Sequence, residues 1–190
     1  SSAVPAILRA LQSVHPPTPL PQGTFRGCGT GLDCNDEIHR SCIETLGINE
    51  IVIKADKSTT IHLNLSLDES FLEKFSGDGI LISTPTGSTA YNYSLGGSIV
   101  DPRLNLMQIT PMAPINTTAY RSFTSSIVVP KYSTIKIHPE YIYENSILIV
   151  SDGMEHKYNG IAEIQVKLSE LEIKLLRLKE YNFWSKVKEK

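Results

Sequence analysis

The stretch GDGILISTPTGSTAYNYSLGG, residues 77–97, feeds an apolar run into a turn of hydroxyl side chains with one proline and one glycine. Pro85 fixes one backbone angle, and Gly87 is free to take a positive φ. Ser88 or Thr89 can cap the helix that follows, expected over about residues 89–95 and closed by Gly96-Gly97. A buried strand running into such a turn and a helix start aims several N–H and O–H donors one way, which suits phosphate or ribose oxygens. No Lys follows the glycine, so this is not a Walker loop. On the helix, Ala90, Tyr91 and Ser94 share one side, while Tyr93 points elsewhere. A small residue, a ring and a hydroxyl on one face can take a flat, polar-edged ring such as a nucleobase. The same spacing also fits a capped turn with Tyr91 packed in the core.

Two carboxylates stand near this turn in the pattern. Asp78 lies between Gly77 and Gly79, just before the apolar run, and Glu50 follows Asn49 at the entry to IVIKA. A carboxylate accepts from two ribose hydroxyls, and an Asn amide both donates and accepts. The plainer reading makes Asp78 a turn residue and Asn49 a strand-end cap. Together with the turn around Gly87, the ring and the acids are expected to converge on one hollow. Arg121 fits a phosphate contact or a surface ion pair. His62 reads as structural or exposed, and His138 and His156 lie near turns without an evident partner. Cys28, Cys34, Cys42 and His39 fit no common zinc spacing, so no metal site is expected.

The elements that must position these groups are short and β-like. INEIVIKA (48–55) and TIHLNLSL (60–67) alternate as half-buried strands do, and GILIST (79–84) reads as a fully buried strand. LMQITPM, SSIVVP, STIKIHP, NSILIVSD, IAEIQVKLSE and LEIKLLRLK continue the series, with prolines 111, 130 and 139 at run ends. Residues 4–13 are compatible with a short helix, 15–35 read as a loop, and FWSKVKEK as a terminal helical turn anchored by Phe183 and Trp184. The pattern predicts a mainly β, antiparallel domain over 47–190 behind an irregular segment, 1–46. A chain of 190 residues with 41% hydrophobic and 20% charged residues is an ordinary globular composition. The net charge of -2 gives no electrostatic case for nucleic acid, and no apolar run approaches a membrane span. The first residues lack a basic leader, so a signal peptide is not expected. Three cysteines without a dense pattern point to a reducing, cytoplasmic setting.

INEIVI, SGDGILISTPTGSTAYNYSLGGSIVDP and QITPMAPINTTAYRS, in this order and spacing, resemble the C-terminal half of the NAD kinases, most closely the low-G+C Gram-positive type. The resemblance runs from about residue 46 to the C-terminus. It implies that Asn49 and Glu50 contact the nucleotide and that Asp78 binds substrate. It further implies that Thr89, Ala90, Tyr91 and Ser94 form a wall of the NAD site, that Ala113 lines it, and that Asp152 approaches the ligand. It implies transfer of a phosphoryl group from ATP, or polyphosphate, to the 2′-hydroxyl of the adenosine ribose of NAD, giving NADP. Mg²⁺ and a homodimer or homotetramer belong to the same picture.

The family's Gly-Gly-Asp-Gly-Thr loop, whose Asp is thought to activate the 2′-hydroxyl, does not occur in this sequence. Gly77-Asp78-Gly79 is not that loop, because Ser76 precedes it and its neighbours match the substrate-side motif. GCGTGLD (27–33) lacks the strand–turn–helix context of a phosphate loop. No catalytic base is therefore identified, and these residues alone are expected to bind NAD with little turnover. The other classes weighed are a non-catalytic nucleotide-binding module, a lipid kinase relative, and a purely structural β module.

Overall fold

The computed structural model describes residues 7–14, 41–118, 121–140, 146–171, 173 and 182–188. Twelve strands are defined within them. They are β1 (Leu8–Val14), β2 (Ser41–Gly47), β3 (Glu50–Ala55), β4 (Ile61–Leu67), β5 (Ser70–Gly77) and β6 (Gly79–Ser83), then β7 (Leu106–Met112), β8 (Ile127–Pro130), β9 (Ile135–Pro139), β10 (Ile147–Ser151), β11 (Met154–Tyr158) and β12 (Ile161–Leu168). A 3-10 turn, Thr86–Thr89, and a short helix α1, Tyr91–Ser94, follow β6, and helix α2, Phe183–Lys188, lies near the C-terminus.

Two six-stranded sheets result, ordered β2-β1-β12-β9-β4-β5 and β11-β10-β3-β6-β7-β8. Every pairing is antiparallel. One apolar core joins both: Leu8, Leu63, Phe75, Ile137 and Ile164 from the first sheet meet Ile51, Ile53, Ile80, Ile82 and Met107 from the second. Face-to-face packing of this kind needs alternating apolar residues, which β4 and β9 show in their burial. The β3 strand is buried almost throughout, not half-buried as its alternation suggested. Its Val52 turns outward but is covered, with Leu81 and Met112, by a second small cluster that includes Leu95 and Val150.

The first 46 residues are not irregular where the structure describes them. Residues 8–13, expected as part of a helix, lie in β1, which sits between β2 and β12. Ile7, Leu8, Leu11 and Val14 do recur at helix-like intervals, but pairing across seven residues on both sides prevails, burying Leu8, Ala10 and Gln12 on one face. The expected loop over 15–35 lies wholly outside the described residues, as do Cys28, Cys34, His39 and most of LEIKLLRLK. The expected C-terminal turn is α2, where Asn182 Oδ1 accepts from Trp184 N–H at 3.0 Å and Ser185 N–H at 3.3 Å. The rings of Phe183 and Trp184 meet edge-on at 5.1 Å. Pro130 and Pro139 end their strands, while Pro111 stands inside β7, past the stretch that β8 pairs.

Candidate functional site

The chain crosses between sheets at two corners that carry the acids. It leaves β2 for β3 through Ile48 and Asn49, and β5 for β6 through Asp78. Crowding, not turn geometry, sets the flanking glycines. A Cβ would lie 2.9 Å from the Glu50 carbonyl oxygen at Gly47, 2.7 Å from that of Met112 at Gly77 and 2.5 Å from that of Ile53 at Gly79.

Asp152 secures the first corner from the turn between β10 and β11. Its carboxylate accepts N–H groups of Ile48 at 2.6 Å, Asn49 at 2.8 Å and Glu50 at 3.2 Å. Its own N–H donates to the Glu50 carbonyl at 3.2 Å. Asp152 holds φ 47° and Gly153 φ 86°, the left-handed pair that folds this turn back. Three N–H groups on one charged acceptor make a strong anchor. Asp152 therefore meets the site through the main chain of 48–50.

The hydroxyl-rich turn sits on the same corner. Thr84 N–H donates to the Asn49 carbonyl at 2.9 Å, and its hydroxyl to the Ile48 carbonyl at 2.8 Å. The Thr84 oxygen in turn accepts Gly87 N–H at 3.0 Å, so Thr84 caps the 3-10 turn. Gly87 does not use a positive φ; its requirement is closeness, since a Cβ would fall 2.0 Å from the Asn49 carbonyl oxygen. Ser88 is no cap either. Its hydroxyl faces inward, donating to the Val100 carbonyl at 3.3 Å and accepting Val100 N–H at 3.0 Å.

Helix α1 is shorter than expected and lies on a buried polar lattice. Asn92, fully buried, donates to the carbonyls of Ser88 and Ser98, both at 3.4 Å, and accepts the Thr110 hydroxyl at 2.6 Å. Gln108 takes Ser98 N–H at 2.7 Å and returns a bond to its carbonyl at 3.0 Å. Gly97 leaves room for the Asn92 amide, and Gly96, at φ 80°, ends the helix as expected. With Asn92 inward, Tyr91 is 43% exposed and Tyr93 51% exposed, so neither ring is a core residue. Ser94 is exposed, and Thr89 and Ala90 are half-buried beside them.

At the second corner Asp78 is exposed, with its N–H on the Met112 carbonyl at 2.9 Å. Ala113 follows Met112, exposed and at φ 44°, a left-handed conformation unusual for a residue with a Cβ. The loop beyond is stitched to β5, because Ser122 Oγ accepts Ser76 N–H at 3.0 Å and Ile115 N–H donates to the Ser76 carbonyl at 2.8 Å. Asp78 and Ala113 are thus neighbours. The register pairs Glu50 with Ser83 and Lys54 with Gly79, so the length of β6, about 16 Å, separates Asp78 from the Glu50 corner. The structure gathers Asn49, Glu50 and the 84–94 segment at one end of β6, and Asp78 and Ala113 at the other.

Glu50 is the most perturbed group at the site. Burial first, and the charge of Asp152 second, push its carboxyl up from 4.5 to about 7. Elsewhere His138 does have a partner, Glu163, at 2.8 Å, and His156 stacks on Tyr158. Arg121 is exposed at a bridge to Asn116. Among the described residues no three His, Cys, Asp or Glu side chains gather as metal ligands, and no helix is long and apolar enough to cross a membrane.

Comparison with known proteins matches the stretch of chain that includes both corners. The profile of the ATP-NAD kinase C-terminal domain matches residues 48–178. The chain belongs to this family. Curated NAD kinases are similar to it: that of Finegoldia magna is 40% identical over 146 residues, 75% of this chain and 53% of that protein. That of Staphylococcus carnosus is 36% identical over 156 residues, 82% of this chain and 56% of that protein. The chain spans about half the length of these relatives. Among solved structures, an NAD kinase from Archaeoglobus fulgidus in complex with ATP superimposes with a TM-score of 0.56 at 29% identity, over 67% of this chain and 47% of that one. Yeast NADH kinase complexed with NADH shares the fold, with a TM-score of 0.61 at 24% identity over 87% of this chain and 40% of that one.

Sequence reasoning missed what holds these residues in place. It took Ser88 for a helix cap and Asp152 for a ligand contact, and it gave Thr84, Asn92, Gln108 and Thr110 no role. The Asp-Gly after an apolar strand was the one signal for the turn at 152–153.

Proposed function

We propose that the chain is the NAD-holding part of an NAD kinase, which transfers a phosphoryl group from ATP or polyphosphate to the 2′-hydroxyl of the adenosine ribose of NAD. The observation that carries this is the Asn49-Glu50 corner locked beneath the 84–89 turn, in a chain of this family. Glu50 and Asn49 orient ribose hydroxyls, Tyr91 with Ala90 and Ser94 offers a face to the base, and Thr89 borders it. Asp78 and Ala113 take a more distant part of the substrate. The Archaeoglobus fulgidus NAD kinase in complex with ATP, which shares the fold, supports this assignment. The family match disfavours a lipid kinase relative.

Together with residues outside this chain, transfer from ATP would be direct and in line. The residues described here do not by themselves make a divalent cation site: Asp152 is engaged by three N–H groups, and no third acid joins it and Glu50. No step is assigned to Mg²⁺ on these side chains. A cytoplasmic homo-oligomer, with no nucleic acid or membrane partner, completes the proposal.

The test is binding followed by turnover on the 190-residue chain. NAD at about 100 times its Kd should raise stability by about 2.7 kcal/mol. A coupled NADP-formation assay should show little or no product, because losing a general base typically costs about 10²–10⁴-fold and losing donor positioning more. Absence of an NAD-dependent thermal shift sinks the binding assignment, and robust NADP formation sinks the dependence on residues outside this chain.

A further inference from the structure

Glu50 is 9% exposed, and its Oε2 has no hydrogen-bond partner among the described residues. An ionised carboxylate with an orphan oxygen out of water is costly. A second carboxylate, Asp152, is pinned to the same main chain by the N–H groups of Ile48, Asn49 and Glu50. Among the described residues, the elements packed around Glu50 supply no free cation. Its register partner on β6 is Ser83, and the 84–89 turn holds only Thr, Pro, Gly and Ser. From β2 comes Glu44, ion-paired with Arg9 at 2.6 Å, and Lys54 further along β3 pairs with Glu155 at 3.2 Å. Helix α1 adds the exposed phenols of Tyr91 and Tyr93. Burial, the orphan oxygen and the like charge all favour the neutral acid in the free protein. A vicinal diol reverses this, since two O–H donors are best received by a carboxylate that only accepts.

We propose that Asp152 is a positioning residue acting on the ligand through Glu50: it fixes the main chain of 48–50 and adds to burial in favouring a proton on the Glu50 carboxyl, which a vicinal diol displaces on binding. The proton passes to the buffer, and no bond to the ligand is made or broken. The inference rests on the reading of this corner as a dinucleotide site.

With the free carboxyl held at about 7, NAD affinity gains about tenfold between pH 6 and pH 8 as Glu50 gives up its proton. Titration calorimetry of the full chain with NAD at pH 7, in buffers of high and low ionisation enthalpy, reads the proton directly. Net release is expected. Glu50→Gln abolishes the release and flattens the pH profile, and Asp152→Asn moves the profile to lower pH because the like charge is gone. An Asp152→Asn variant that binds more weakly at every pH, with its profile unmoved, makes Asp152 merely structural and overturns the proposal. Wild-type affinity that is flat across this range, with equal heats in both buffers, overturns it too while leaving the NAD site intact. No NAD binding at any pH removes both. Should Asp152→Asn fail to fold, carboxyl-carbon NMR of the unliganded wild-type chain decides: Glu50 titrates near neutrality, and a midpoint in the ordinary carboxylate range overturns the idea.

Discussion

At Gly87 a single added carbon would land 2.0 Å from the Asn49 carbonyl oxygen, and that contact is backbone against backbone. Neither side can rotate away. Gly87→Ala must therefore push the 84–89 turn off the 48–50 corner, breaking the Thr84 bonds that join them. Overpacking of this kind costs about 1–3 kcal/mol. The variant should melt earlier and bind NAD more weakly; an unchanged melting temperature would mean that the turn and the corner are not in this contact. Tyr91→Ala is the opposite case. The ring is 43% exposed and outside the core, so stability should hold within about 0.5 kcal/mol. If the ring stacks on a base, NAD affinity falls by the equivalent of about 1 kcal/mol, roughly fivefold, in calorimetry. Unchanged affinity removes Tyr91 from the site.

Elements explain why some of this was legible in the sequence and some not. Strands whose burial follows simple alternation or a continuous apolar run, such as β4, β6 and β9, could be read because one face or both must leave water. β1 could not, since its apolar spacing suits a helix and its partners β2 and β12 are distant in sequence. Helical spacing left Tyr91 open between a ligand face and the core, and the structure leaves its ring exposed. The lattice beneath α1 was not legible, because a polar residue such as Gln108 or Thr110 in a strand gives no sign that it faces a buried amide. That lattice makes its own prediction. Thr110→Val keeps the shape of the side chain but takes the hydroxyl from Asn92 Oδ1, a bond of 2.6 Å between buried groups. Leaving that acceptor unmet costs about 1–3 kcal/mol. Denaturant unfolding should show the loss as a lower midpoint with the same slope. If the midpoint does not move, the lattice does not hold the helix.

For the whole molecule, the two sheets share one core, and two of the corners where the chain passes between them carry the proposed binding groups. The 48–50 corner is tied from two sides, by Asp152 and by Thr84, which suits a site that must be ordered. The arrangement has a cost that global stability should reveal. Glu50 is raised from 4.5 to about 7 in the folded chain, by burial and then by Asp152. Between those two values the folded state binds more protons than the unfolded state, so stability falls as pH rises. This contribution is fully present below about pH 4.5 and lost once pH passes about 7. A Gln at this position stays neutral throughout. Glu50→Gln should therefore match the wild type near pH 4 and exceed it at pH 8 in melting temperature, while losing NAD affinity. The gap between the two melting curves must widen across that window. Parallel curves would mean that Glu50 is already ionised without penalty in the folded chain, and that the cost of the binding corner lies elsewhere.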